Sequence, residues 1–269
     1  MCFLKRDNNF TFVSVHNPES VSVTRLKITI LSPFVIIVLA LLPLINSGNS
    51  TKFYLPVFQK TIIPVKNDSV GIVAELLYDS LLLEKSGLNK EAFIYAYTGY
   101  KNLVEKGIFN KEGLITICDF SQSSKKKRLY LIDLHDYKLL LNTYVAHGRN
   151  SGGEFAKKFS NKPQSLQSSL GFYITKKTYF GGHGLALTLA GLEKGINDKA
   201  ERRKIVVHGS DYIGDKYLRY SKNMGRSFGC PAIPKKHTNQ LINTIKNGSC
   251  LFIYHPDKNY RIGSKILNG

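Results

Sequence analysis

No two cysteines of this 269-residue chain stand in a CxxC pair; the four, at 2, 118, 230 and 250, offer no zinc-ligand spacing. Asp133, Asp136 and Asp211 lack the pairing that two-carboxylate chemistry requires, so neither metal nor glycosidase chemistry is expected, and no cofactor is called for. No internal repeat stands out, which removes solenoids and propellers. Acid is scarce: 19 Asp and Glu face 38 Lys and Arg, for a formal charge of +19. Such an excess calls for an anionic partner, whether nucleic acid, a membrane surface or a carboxylate-rich envelope. The bases are scattered, as KKK at 125–127, KK at 157–158 and 176–177 and RRK at 202–204, with no nucleic-acid module around them. They read mostly as solvated surface, and nucleic acid is excluded as the partner.

What is present begins with ITILSPFVIIVLALLPLI at 28–45, an uncharged run preceded by Lys5, Arg6, Arg25 and Lys27. A bilayer span needs about 20 apolar residues, so the run is short for a span and long for a signal peptide. Both readings export the chain. The positive-inside rule places residues 1–27 in the cytoplasm and everything after about 46 outside, and the run is either a retained anchor or a cleaved signal. Cys118 and Cys250 then lie outside the membrane, as a disulfide or as buried free thiols.

A polar, proline-punctuated linker at 51–69 leads to a helical segment at 70–108. Its first helix, 70–87, carries Val73, Leu76, Leu77, Leu81 and Leu83 at helical spacing; its second starts with Asn89 as cap and stops at Gly107. From residue 109 to 269 the pattern is strand-rich: LITICDF, RLYLIDL, LLLNTYVAHG, GFYIT, KTYF, IVVH and CLFIYH. One further helix is expected in HTNQLINTIKNG, with Leu241, Ile242 and Ile245 on one face.

The run IVVH delivers His208 to a strand end, and 22 positions later GRSFGCPAIP holds Cys230 between Gly229 and Pro231. A thiol of ordinary acidity is mostly protonated at neutral pH, so a cysteine nucleophile needs a base or an electropositive setting. His208 and Arg226 offer both, while Ser227, Phe228 and Gly229 shape a segment able to aim N–H groups at an oxyanion. By itself the pair also reads as packing: a core histidine and an inert thiol.

The order His208-Gly209, a spacer, then Ser227-Phe228-Gly229-Cys230 resembles the murein L,D-transpeptidase catalytic family, of YkuD type. So do AHGRNSG (146–152), SSLGFYIT (168–175), GGHGLALTLAGLEKGIN (181–197) and VVHGSDY (206–212), and the likeness covers roughly 70–257. Many members carry His where Phe228 stands and Arg or Asn where Pro231 and Ala232 follow; the most similar branch carries an aromatic and Pro-Ala there. The resemblance implies a mainly β, YkuD-like β-sandwich catalytic domain, α+β overall with its helical segment and anchor or signal helix. It implies Cys230 as nucleophile and His208 as base, oriented by a carbonyl near Gly209. The N–H groups of Phe228, Gly229 and Cys230 would form the oxyanion hole. A thioester with a peptidoglycan tetrapeptide stem would pass to an acceptor amine, or to water in an L,D-carboxypeptidase. His183 either lines the cleft or belongs to a glycine turn; Tyr212 and Arg226 are cleft or surface positions. A sortase-like reading rests only on Arg261, a papain-like one has cysteine and histidine in the wrong order, and a non-catalytic peptidoglycan scaffold is the reading outside enzymology.

Overall fold

The computed structural model describes residues 68–269 and, by themselves, two short strands, β1 (Lys5–Arg6) and β2 (Asn9–Phe10), that pair antiparallel. The apolar run at 28–45 and nearly all of the linker lie outside the described residues. Among the described residues no helix is long and apolar enough to cross a membrane.

Two helices open the described body, α1 (Asp68–Ser80) and α2 (Lys90–Glu105). Asn89 caps α2, its side chain accepting the N–H groups of Glu91 and Ala92 at 2.8 and 3.3 Å. The buried face of α2 runs Ala92, Phe93, Ala96, Gly99, Tyr100, Leu103, the spacing of one helical stripe. α1 stops seven residues earlier than its pattern suggests, because 81–87 turn, with Leu82 and Gly87 at φ 51° and 83°. It also faces inward with Ala74 and Tyr78, leaving Val73 and Leu76 exposed. Tyr78 can be buried there because its hydroxyl donates to the Leu88 carbonyl at 2.6 Å.

The remaining strands are β3 (Leu114–Asp119), β4 (Leu129–Asp133), β5 (Lys138–Thr143), β6 (Gly171–Gly181), β7 (Gly184–Gly191), β8 (Val206–Ser210), β9 (Ala232–Pro234) and β10 (Cys250–Tyr254). They form one mixed sheet in the order β5-β4-β3-β10-β6-β7-β8-β9. The mainly β architecture with helices is therefore present, but its strands belong to one continuous sheet rather than two separate ones. β6 is the reason: GFYIT and KTYF join across a register shift between Thr175 and Thr178 into an eleven-residue strand that pairs with β10 at one end and β7 along the rest. β9 closes the edge, where Pro234 removes no needed ladder donor.

α2 lies on the sheet so closely that a Cβ at Gly99 would fall 2.1 Å from the Phe172 ring. Phe172 stacks on Phe252 at 4.2 Å beneath it. On the way to the last strand come α3 (Asp215–Leu218) and α4 (Thr238–Ile245); α4 buries Leu241, Ile242 and Ile245 as its pattern requires. Cys118 and Cys250 are both buried free thiols. Parallel pairing sets Cys118 opposite Ile253, three residues beyond Cys250. That offset is about 10 Å along a strand, too far for a disulfide.

Candidate active site

β8 carries His208 at its third position, flanked in the sheet by Ala186 of β7 and Ala232 of β9, two side chains small enough to leave the ring room. Because β8 and β9 run parallel, Cys230, two residues before Ala232, stands beside Val206. Sheet register thus brings together two residues separated by 22 positions in sequence.

Ser227 fixes the turn that presents the thiol. Its hydroxyl donates to the Cys230 carbonyl at 2.6 Å and accepts the Gly229 N–H at 3.0 Å. Its main chain bridges to the segment at 147–149, through Ser227 N to His147 O at 3.0 Å and Arg149 N to Ser227 O at 2.7 Å. Gly229 sits at φ 124°, a conformation open essentially only to glycine, and a Cβ there would lie 2.7 Å from the Gln167 carbonyl. The Gly229 N–H is taken by Ser227, whereas those of Phe228 and Cys230 have no protein acceptor among the described residues.

His208 is buried, and its Nδ1 lies 3.0 Å from the Gly209 carbonyl. A carbonyl can only accept, so Nδ1 holds the ring proton and Nε2 keeps a lone pair. Burial pushes the imidazole below its usual range, helped by the nearby His183. Burial pushes the Cys230 thiol upward, opposed by the Val206 N–H and by Arg203. Both shifts favour a neutral thiol beside a neutral base. The thiol points to the Lys204 carbonyl at 3.7 Å, and no hydrogen bond joins it to His208. Lys204 presents that carbonyl from a left-handed backbone (φ 55°), which costs roughly 1 kcal/mol for a residue with a side chain.

The other sequence candidates fall around this pair. His183, in the turn between β6 and β7, stacks on His208 with ring centres 4.6 Å apart and planes at 24°. Tyr212 is half-buried against Gly225, where a Cβ would lie 2.3 Å from its ring, and burial pushes its phenol upward. Arg226 is exposed and clamps the 149–152 turn, donating to the carbonyls of Arg149 and Gly152 at 3.2 and 3.1 Å. Phe228 is 67% exposed, with the Arg149 guanidinium 6.0 Å over its ring. Arg149, Lys222, Arg226 and Phe228 line a groove of about 400 Å³ that has no acidic residue in its walls.

Sequence reasoning missed the supports. Arg128, which follows the KKK run and opens the strand-like stretch RLYLIDL, is fully buried and donates to the carbonyls of Val145 and Gln122 and to His147 Nδ1, the last at 2.7 Å. Arg203, from the RRK run, is half-buried and reaches four acceptors in the 160–169 loop. Ser168 joins that loop to the Cys230 turn by donating to the Gly229 carbonyl at 3.1 Å. The one available signal was position: these residues flank the quoted motifs.

A histidine at the centre of β8 and a cysteine just before β9, both held neutral, define a candidate thiol acyl-transfer site. The chain belongs to the YkuD_2 family, the L,D-transpeptidase catalytic domain, whose model matches residues 84–254. Among solved structures it is similar to an L,D-transpeptidase from Mycobacterium smegmatis, at 9% identity and TM-score 0.33, covering 53% of this chain and 59% of that one. It is similar to the helical cell shape determining protein Pgp2 from Campylobacter jejuni, at 14% identity and TM-score 0.35, covering 65% of this chain and 60% of that one. An L,D-transpeptidase from Xylanimonas cellulosilytica is similar at 14% identity and TM-score 0.32, over 70% of this chain and 94% of that one. The chain thus spans about three fifths of the length of the first of these. No curated protein matches it at a significant level.

Proposed function

We propose that this chain is an exported peptidoglycan L,D-transpeptidase in which Cys230 forms a thioester with a tetrapeptide stem and passes it to an acceptor amine. The β8–β9 register, which sets Cys230 two residues from the partner of His208, is the observation that carries the reading. Family membership supports the chemistry, and the positive net charge and the acid-free groove suit stems that bear carboxylates. The apolar run at 28–45 behind Arg25 and Lys27 supports export to the cell envelope and either anchoring in the inner membrane or signal cleavage.

In the proposed reaction the thiol swings from the Lys204 carbonyl, a long and weak sulfur contact, toward His208. Nε2 takes the thiol proton as sulfur attacks the carbonyl of the third stem residue, while the Gly209 carbonyl steadies the imidazolium through Nδ1–H. The oxyanion meets the N–H groups of Phe228 and Cys230. Collapse breaks the C–N bond, and His208 returns its proton to the departing D-alanine amine. An acceptor amine then attacks the thioester, His208 removes its proton, and the proton returns to sulfur as the new amide forms. His183 lines the cleft beside the base, with Tyr212 and Arg226 at its margin.

The test is incubation of the chain and of Cys230→Ala with tetrapeptide muropeptides and, separately, with a carbapenem, followed by mass spectrometry. The wild type should release D-alanine, form a cross-linked product and gain one drug adduct; the variant should do none of these. A tripeptide with no cross-link would assign water as acceptor, and an adduct of normal yield on Cys230→Ala would sink the proposal.

A further inference from the structure

Arg203 precedes β8 and reaches back under the catalytic turn. Nη1 donates to the Ser160 carbonyl at 2.7 Å and to Ser169 Oγ at 2.5 Å; Nη2 donates to the Gln167 carbonyl at 2.5 Å and to Ser165 Oγ at 3.3 Å. All four acceptors are neutral, and no carboxylate pairs with Arg203 among the described salt bridges. The guanidinium therefore keeps its full charge in a half-buried place, where water screens it poorly. It also touches the turn: a Cβ at Gly229 would lie 3.3 Å from Nη2 and 2.7 Å from the same Gln167 carbonyl that Nη2 holds. Gly229 is the residue before the thiol.

We propose that Arg203 is a positioning residue of the site, clasping the 160–169 loop against the Cys230 turn and holding an unneutralised positive charge where the thiolate forms. This rests on the reading of Cys230 as the nucleophile. The titratable groups around the thiol are His208 on β8, His183 stacked on it, Tyr212 after β8 and Tyr173 on β6 near the guanidinium; none is a carboxylate. Lys204, whose carbonyl the thiol meets, is an exposed residue, and Arg203 is the half-buried cation that acts on the thiol. Its influence on Cys230 runs in the direction the geometry requires.

The test is the pH dependence of iodoacetamide alkylation at Cys230 in the full chain, located by peptide mass mapping, since the alkylation rate follows the thiolate fraction. It needs no substrate, so its outcome is separate from whether stem peptides turn over. Arg203→Gln should raise the midpoint by about one pH unit, leaving roughly tenfold less thiolate below it. Arg203→Lys keeps a charge but cannot span four acceptors; it should retain the midpoint within a few tenths of a unit and still lower stem-peptide turnover. Ser165→Ala with Ser169→Ala removes two clasp partners and keeps the charge, and should leave the midpoint in place. An unchanged midpoint in Arg203→Gln would overturn the proposal. So would an equal rise in either charge-retaining variant, because the effect would then belong to the loop; these two also carry the test if Arg203→Gln does not fold.

Discussion

Acid should unfold this protein through His147. The side chain is completely buried, with Nδ1 2.7 Å from an Arg128 nitrogen and Nε2 3.3 Å from the Gly152 carbonyl. Arg128 can only donate, so Nδ1 must accept and the ring proton resides on Nε2. A second proton would place a cation against a buried guanidinium. Desolvation, and then the Arg128 charge, hold the imidazole down at about 4 against an ordinary 6.5. With the folded value depressed, the unfolded chain binds the proton first, so stability is fully present above pH 6.5 and is lost as pH falls toward 4. The loss approaches about 3 kcal/mol, a sizeable share of a typical domain's 5–15 kcal/mol. His147→Gln can still accept from Arg128 and donate to Gly152 but takes up no proton. Denaturant unfolding, followed by circular dichroism because the chain has no tryptophan, compares the two proteins at pH 7.5 and 4.5. The wild type should lose about 2–3 kcal/mol more than the variant between those pH values. A parallel loss in both would refute the reasoning. Since the His147 carbonyl accepts the Ser227 N–H, the same protonation loosens the turn that carries Cys230.

Gly229→Ala puts a methyl 2.7 Å from the Gln167 carbonyl at φ 124°, so it should cost about 1–3 kcal/mol and, by displacing the thiol, lower stem-peptide turnover about a hundredfold. Unchanged turnover would show that the turn tolerates a shift of its backbone. Asn89→Ala removes the two capping contacts of α2 and should cost about 1 kcal/mol in thermal or denaturant unfolding, with turnover per folded molecule unaltered.

The fold was legible where one residue type had one physical use. Asn89 as a cap, the Leu241, Ile242 and Ile245 face of α4, and the buried strand CLFIYH all declared themselves in the residues. β7 and β9 did not. GLALTLAG was absorbed by a motif, and β9 is three residues long and ends in proline, a strand only because β8 lies beside it. α1 misled because its exposed Ile72, Val73 and Leu76 outnumber the Ala74 and Tyr78 that it buries. Within the site, Cys230, His208 and their glycines were readable as chemistry. Arg128 and Arg203 were not, because an arginine satisfied by main-chain carbonyls far away in sequence looks identical to one in solvent.

Those two arginines give the scarcity of acid a structural meaning. In a chain with 19 carboxylates against 38 bases, buried guanidinium groups are satisfied by carbonyls and hydroxyls and retain their charge. Arg128 uses that charge to keep His147 neutral, and Arg203 sets its charge against the desolvation of Cys230. Burial still prevails at the thiol, whose acidity is on balance weakened, and at His208, whose basicity is weakened too. The resting pair therefore holds its proton on sulfur, and in the proposed reaction the nucleophile is generated only as His208 takes that proton in the attack. Oxidation and adventitious alkylation also require the thiolate. A neutral resting pair would thus suit the proposed export to an oxidising envelope, while the proposed role of Arg203 limits how far protection can weaken the nucleophile.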